Sequence, residues 1–423
     1  MEILGIVWTI VKFIILISFL VVIHEGGHFL TAKAFGMKVN EFAVGFGPKI
    51  WGKQKGETMY SVRWIPLGGF CALEGEEEES TDPRAFNNKS VWARFWVVVM
   101  GPVVNIVFAL LVFFIMYLSV GQYQTTIIES FTENSIAEEV GIQLGDEVYK
   151  INGKRMRTIS AINEFMRVNE DKEITVTVKR GNEKLDYTFV PRTIETGYVG
   201  LEFKNQETII SAVSIDSPAE GAEIKKGDKI LKVNDTPVTT ADEFSGIISK
   251  NANIPVTITY EREGIENTVT VTPVCPDLLK DYEIGFIGKV ASDKLGLISK
   301  SFWQSIDQAT SMVNQVVQIF SGQIELKYLS GPVGIAKVVG QANDGMSFLY
   351  LLVFISLNLG IVNLLPIPPL DGGKLVFILI EAIIRRKPNP KIEMYLQLVG
   401  MGLLVALMVF VTFNDITRRM SIF

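Results

Sequence analysis

Residues 3–33 read ILGIVWTIVKFIILISFLVVIHEGGHFLTAK, an apolar run followed at once by two histidines and a glutamate. Ile3 to Ile23 contains one charged residue, Lys12, and about 20 apolar residues suffice to cross a bilayer as a helix. A cleaved signal peptide is the alternative. The run is longer than the apolar region of such a peptide, and Glu2 stands where a basic start is typical. We therefore expect a membrane-spanning helix here.

Three further stretches without Asp, Glu, Lys or Arg predict additional spans: Phe95–Val120, Phe348–Leu370 and Tyr395–Asn414. Buried core helices are the alternative, but uncharged runs of this length favour lipid. The mean hydropathy of +0.30 over 423 residues agrees with a membrane protein.

Charge and composition exclude several classes of protein. The formal net charge of −6 argues against nucleic-acid binding, and two cysteines cannot build a disulfide scaffold or a Cys-rich zinc module. Nine Lys and Arg residues from Lys33 to Arg94, and four more from Arg385 to Lys391 before the last apolar stretch, predict that both segments are cytoplasmic. The acidic run Glu76–Glu79 predicts a solvated loop.

Between the second and third predicted spans, the chain repeats itself at an offset of 82 residues. The recurring positions are Ser135, Ala137, Glu138, Ile142, Gly145, Asp146, Lys150 and Asn152, which match Ser217, Ala219, Glu220, Ile224, Gly227, Asp228, Lys232 and Asn234. Each copy predicts a short helix, a Gly-Asp turn, a strand and an Asn turn, and alternation predicts later strands at Ile174–Val178 and Val256–Tyr260. The copies resemble PDZ domains, which implies modules that bind extended peptides. Modules that only space or gate something are the alternative.

His24-Glu25-Gly26-Gly27-His28 is an H-E-x-x-H sequence and contains the only two histidines of the chain. Residues i and i+4 share one face of a helix, so both imidazoles can bind one Zn²⁺ while Glu25 acts on a water molecule as general base. A pair of structural core histidines is the alternative. Charged groups at membrane depth are energetically costly and seldom lack a function, which favours a zinc site.

A catalytic zinc ion needs a third protein ligand. No histidine remains and both cysteines lie outside the predicted spans, so we expect a carboxylate. Asp371 interrupts an apolar stretch in residues 363–373, NLLPIPPLDGG, where prolines break the helix. Irregular backbone at membrane depth is tolerated only beside protein or a cavity. An N-cap role for Asp371, ahead of a helix from Gly372, is the alternative to a role as third ligand.

The motifs of His24–His28 and Asn363–Gly372 together resemble those of the site-2 proteases, and the paired modules narrow the resemblance to the bacterial regulator-of-sigma-E protease group. Further shared motifs are Gly45–Pro48, Pro66–Phe70, Gly101–Asn105 and Gly331–Gly334. The resemblance implies an intramembrane zinc metalloprotease. Its implied substrates are single-pass membrane proteins, such as anti-sigma factors or signal-peptide remnants, whose outer part has already been shortened.

The resemblance also implies roles for two other regions. Asn363 would contact the substrate backbone or the developing oxyanion, and an interhelical hydrogen bond is the alternative. Between Glu41 and Phe70 the sequence predicts short strands with Gly turns. The resemblance implies a re-entrant β element there, beside the alternative of an ordinary cytoplasmic hairpin.

The predicted fold class is an α-helical membrane protein with four transmembrane helices and two β-rich PDZ modules inserted between helices two and three. The predicted segments are 1–33 (helix 1 with the zinc motif), 34–94 (cytoplasmic loop with the β element), 95–120 (helix 2), 121–193 and 194–275 (modules), 276–346 (connection with an amphipathic helix), 347–384 (broken helix 3 with the third ligand) and 394–415 (helix 4). The expected location is a bacterial inner membrane, with the modules and both termini outside the cytoplasm. Expected partners are single-pass membrane substrates, lipid and peptide ligands of the modules, with no nucleic acid.

Two other functions remain open from the residues. A membrane-anchored zinc peptidase acting on soluble cytoplasmic chains would take its third ligand from a soluble helix after His28. A membrane receptor or scaffold with PDZ modules would carry a vestigial zinc site.

Overall fold

The computed structural model describes residues 2–76, 78–132, 135–169, 172–203, 207–214, 217–275, 280–322, 331–342, 344–386 and 389–420. The chain forms two compact units. The first is built from residues up to Val120 and from Gln308–Asp415, and the second chiefly from Gly121–Asp307.

The helices of the described residues are, in chain order, α1 (Glu2–Ala34), α2 (Val91–Ser119), α3 (Ile136–Glu139), α4 (Ile159–Val168), α5 (Pro218–Gly221), α6 (Ala241–Ser249), α7 (Lys294–Phe320), α8 (Pro332–Gln341), α9 (Gly345–Asn363), α10 (Asp371–Ile384) and α11 (Pro390–Met420). The strands are β1 (Val39–Lys55), β2 (Thr58–Leu73), β3 (Tyr123–Phe131), β4 (Glu147–Ile151), β5 (Lys154–Arg155), β6 (Ile174–Arg180), β7 (Glu183–Phe189), β8 (Arg192–Glu195), β9 (Leu201–Phe203), β10 (Ile210–Val213), β11 (Lys229–Val233), β12 (Thr236–Pro237), β13 (Val256–Arg262), β14 (Ile265–Val271), β15 (Lys280–Glu283) and β16 (Phe286–Ala291).

Among the described residues, four helices are long and apolar enough to cross a membrane: α1, α2, α9 and α11. The α1 helix continues past the apolar run to Ala34, close to the predicted segment 1–33, and so carries the H-E-x-x-H sequence inside the helix. The third predicted span stops being helical after Asn363, and α10 begins at Asp371. The break that the prolines predicted is therefore confirmed.

The hairpin of β1 and β2 packs on α1 just before the histidine motif. Residues 41–44 of β1 pair on both sides, with 59–62 and with 69–72 of β2. Ser18 of α1 donates a hydrogen bond to the Pro66 carbonyl. Gly69 lies beside Val21 of α1, and it allows close pairing within the hairpin, because a Cβ there would lie 2.6 Å from the Ala43 carbonyl oxygen.

The second unit repeats one order of elements twice, and the offset of 82 residues is kept throughout. Elements α3, β4, β5, α4, β6 and β7 begin 82 residues before α5, β11, β12, α6, β13 and β14. Asn152 and Asn234 both have left-handed backbones, at φ 46° and 52°, as the two predicted Asn turns require. The two predicted strands are confirmed as β6 and β13, and each copy has a separate hydrophobic core.

The sheet of the first copy includes a strand that lies far along the chain. Its order is β16-β3-β4-β6-β7, and β16 pairs antiparallel with β3. Ile284, just before β16, is buried in the same core. The segment 276–346, predicted as a connection, thus contributes a strand to this sheet. Local periodicity does not reveal such long-range pairing, because strand formation depends on the partner.

Candidate metal centre

The α1 helix brings its two histidines onto one face, as their spacing of four predicts. Nε2 of His24 and Nε2 of His28 lie 3.3 Å apart, and the two ring planes are nearly perpendicular, at 85°. The His24 residue is buried, with 7% of its surface exposed. Glu25 lies between them in sequence and lines the same cavity.

Asp371 reaches the histidines from the first turn of α10. Its Oδ2 lies 3.0 Å from His24 Nε2 and 3.4 Å from His28 Nε2. The helix can begin so close to the preceding turn because glycines follow Asp371. A Cβ on Gly372 would lie 2.1 Å from the Leu365 carbonyl oxygen. The cap position of α10 is Leu370, so Asp371 is not the N-cap.

The three groups fit a zinc ion. Ligand atoms held about 2.0–2.1 Å from a tetrahedral Zn²⁺ lie roughly 3.3–3.4 Å from one another, close to the distances seen here. The Oδ2 atom of Asp371 is buried, and apart from the two imidazoles the described residues give it no polar partner. Lone pairs that face each other at this range repel unless a proton or a cation lies among them. We call His24, His28 and Asp371 the metal centre.

The α2 helix supports the metal centre at close range. His28 Nδ1 donates a hydrogen bond to the Val97 carbonyl at 2.9 Å, which leaves the Nε2 lone pair free to bind a metal ion. A Cβ on Gly101 would lie 2.3 Å from His28 Nε2. A Cβ on Gly27 would lie 2.4 Å from the Met100 carbonyl oxygen. These glycines permit the close approach of α1 and α2.

A cavity of about 950 Å³ contains the metal centre and Glu25. The segment after β2 lines part of the cavity, although the run Glu76–Glu79 is predicted as a solvated loop. Glu76 instead pairs with Lys374 of α10 at 2.7 Å; Glu77 lies outside the described residues. Hydrogen bonds from Ser80, Asn40 and Lys38 lower the pKa of Glu74 to about 2, so this carboxylate of the wall stays negative even in mildly acidic solution.

Asn363 is the last residue of α9 and is half-buried. It is not among the described residues that line the cavity, and its contact with substrate stays a prediction. Sequence reasoning did not find the contribution of α2 to the metal centre. The Gly101–Asn105 motif carries no local sign of this contribution, although Gly101 lies beside His28 and Asn105 lies beside His24.

The chain is similar to known proteins over nearly its whole length. The profile of Peptidase family M50 matches residues 12–407. A putative zinc metalloprotease of Vibrio cholerae is 33% identical over 98% of this chain and 99% of its own length. The regulator of sigma-E protease RseP of Escherichia coli is 30% identical over 98% of this chain and 100% of its own length. The HtrA3 PDZ domain structure covers 19% of this chain and 88% of its own, at 18% identity and a TM-score of 0.18.

Apolar spanning helices with an H-E-x-x-H sequence and a converging aspartate define the class of membrane zinc metalloproteases. The family match and the two relatives agree with this class, and they cover nearly the whole chain. The chain belongs to peptidase family M50.

Proposed function

We propose that this zinc metalloprotease hydrolyses peptide bonds within the transmembrane segments of single-pass membrane proteins. The observation that carries the proposal is the position of the metal centre. His24 and His28 lie within the candidate span Val7–Ala34, and Asp371 begins α10, eight residues after the end of the apolar helix α9. Metal-ligating groups so placed favour a substrate that is itself in the membrane.

His24, His28 and Asp371 would hold the zinc ion. When bound, the ion would act as a Lewis acid that activates water and polarises the scissile carbonyl. Glu25 takes the proton of the attacking water and delivers it to the leaving amine, as its place in the cavity allows. Asn363 binds the substrate backbone or the developing oxyanion. A donor at that position contributes on the order of 3 kcal/mol to the transition state.

A helical substrate must unwind before its peptide bonds become accessible, and the β1–β2 hairpin offers a place for the unwound segment. Among the described residues, 69–73 are paired on one side only, by 39–44, and Phe70 and Cys71 line the cavity. An open strand edge of this kind accepts an extended peptide as an additional strand. Trp51, Trp64 and Ile65 of the hairpin are more than half exposed. Exposed apolar side chains of this size favour insertion of the hairpin into lipid, and hence a re-entrant element.

The two modules would act outside the cytoplasm as a size filter and bind peptide ends. An intact, bulky outer domain of a substrate is excluded, whereas a substrate already cut by another protease enters. The modules repeat one order of elements, and their sequence resembles PDZ domains. The location that goes with this role is the bacterial inner membrane, with residues 34–94 in the cytoplasm.

The test combines zinc analysis with cleavage of a shortened single-pass substrate, using purified full-length variants. His24→Ala and Asp371→Ala should lose zinc and activity. Glu25→Gln should keep zinc and lose about 10²-fold to 10⁴-fold in cleavage rate. Glu79→Gln, the same change at an exposed carboxylate of the cavity wall, should cleave like the wild type.

Each alternative predicts a different result. Retained zinc and activity in Asp371→Ala would favour a peptidase whose third ligand lies elsewhere. An unchanged cleavage rate in Glu25→Gln would remove the proteolytic role of the centre. Cleavage of soluble chains alone would contradict action within the membrane.

A further inference from the structure

Asn105 of α2 is a fully buried amide directly beside the metal centre. None of its surface is exposed, and its Nδ2 lies 3.5 Å from His24 Nδ1, the ring nitrogen that faces away from Asp371. Its Oδ1 is buried and has no hydrogen-bond partner among the described residues. A buried amide oxygen without a partner is unfavourable by roughly 1–3 kcal/mol, so the orientation of this amide needs an explanation.

The two ends of an Asn amide are nearly indistinguishable by shape, and the hydrogen-bond network decides between them. If Nδ2 donates to His24 Nδ1, the ring proton must sit on Nε2, which then cannot coordinate a metal. If the amide is rotated by 180°, Oδ1 accepts the proton of Nδ1–H, and Nδ2 takes the buried place where no described residue offers an acceptor. One amide end is unpaired in either orientation, so the need for a free Nε2 decides between them. The rotated orientation leaves the Nε2 lone pair facing His28 and Asp371.

His28 shows the same arrangement without ambiguity, since its Nδ1 donates to the Val97 carbonyl at 2.9 Å. Val97 and Asn105 are eight residues apart on α2, which is close to two helical turns. One helix therefore places an acceptor behind each imidazole. The acceptor at Val97 is a backbone carbonyl, whereas the acceptor at Asn105 is a side-chain amide.

We propose that Asn105 is a positioning residue whose Oδ1 accepts the Nδ1 proton of His24 and thereby fixes the tautomer and orientation that coordinate zinc. This inference rests on the proposed function, because it needs His24 to be a ligand. The inference means that Asn105, although it is not a ligand, helps to determine the affinity for zinc. Hydrogen-bond partners behind a metal-bound imidazole typically change affinity by about 10-fold to 100-fold.

The experiment measures zinc affinity by competition with a chelator, on purified full-length protein. Asn105→Leu keeps the size and removes the acceptor, and it should bind zinc about 10-fold to 100-fold more weakly. Asn105→Asp keeps an oxygen at the same place and should bind within a few-fold of wild type. Ser356→Ala is the matched control, because Ser356 donates a buried hydrogen bond at 3.0 Å to the backbone oxygen of Asn105 without touching His24. It should leave affinity unchanged.

A second measurement reports the tautomer directly. The chain has only two histidines, so ¹⁵N-histidine labelling gives ring signals from His24 and His28 alone. The zinc-loaded wild type should show a protonated Nδ1 and a coordinated Nε2 for both rings, and Asn105→Leu should alter the His24 signals.

The outcomes separate the two proposals. Wild-type protein that takes up no zinc would overturn the proposed function. Zinc-binding wild type with equal affinity and unchanged His24 signals in Asn105→Leu would overturn this inference alone. So would equal losses of affinity in Asn105→Asp and Asn105→Leu.

Discussion

The two adjacent glycines of the histidine motif have opposite surroundings. A Cβ on Gly27 would lie 2.4 Å from the Met100 carbonyl oxygen, which belongs to the backbone of α2 and cannot turn aside. A Cβ on Gly26 would have no described atom within 4 Å. Gly26 therefore affects only the helix propensity of α1, whereas Gly27 lies at a contact between α1 and α2.

This difference predicts opposite effects of the same substitution. Gly27→Ala should destabilise the protein by about 1–3 kcal/mol, because α1 and α2 must separate. Gly26→Ala should be neutral or stabilising by up to roughly 1 kcal/mol, since alanine favours a helix interior. Thermal unfolding of the metal-free protein in detergent measures both. Equal melting temperatures for the two variants would contradict the packing argument.

Single residues differ in how far the sequence reveals them. His24, His28 and Asp371 could be expected to meet, because these residue types at membrane depth have few other uses. Asn105 could not, since an asparagine inside an apolar helix indicates only that some polar partner exists. The packing of α2 on α1 determines that the partner of Asn105 is His24.

A buried ion pair joins α10, which carries Asp371, to α2, which packs beside the metal centre. Arg94 of α2 and Glu381 of α10 form two hydrogen bonds, at 2.6 and 3.0 Å, and their side chains are only 9% and 12% exposed. The α10 helix carries Asp371, and α2 contacts His28. The pair therefore fixes the helix that brings the carboxylate to the histidines.

Removing one partner should be worse than removing both. Glu381→Ala leaves the Arg94 charge buried and unpaired, which costs about 3–5 kcal/mol. The double variant Arg94→Met with Glu381→Leu should recover most of this stability. Thermal unfolding and zinc content measure the effect, and zinc should fall in the single variant. A single variant as stable as the double one would contradict the role of the pair.

Local elements follow the sequence pattern more closely than their pairing does. The Gly-Asp and Asn turns and the alternating strands are predicted in place, because each depends on neighbouring residues. The pairing of β16 with β3 joins residues about 160 positions apart and has no local signal. Residues 41–44 pair with two segments of the hairpin, and this pairing has no local signal either.

For the molecule as a whole, the pairing of β16 with β3 makes the second module an insertion within the first. The cores of the two modules are separate, and the first is completed after the second has ended. Tyr198 and Val274 flank the second module and exchange two backbone hydrogen bonds, at 2.7 and 2.9 Å. The ends of the inserted segment are thus adjacent, as in domains that tolerate insertion.

This geometry permits a direct test of the size filter. Replacing residues 199–273 by an Asn-Gly turn should leave the first module folded, because such a turn closes a hydrogen-bonded antiparallel pair. If the second module helps to exclude bulky outer domains, the excised enzyme should cleave a substrate whose outer domain is intact, while the wild type does not. Both enzymes should cleave the shortened substrate at similar rates, which serves as the control for zinc binding and folding. An excised enzyme that cleaves the shortened substrate normally and still rejects the intact one would show that the second module excludes nothing.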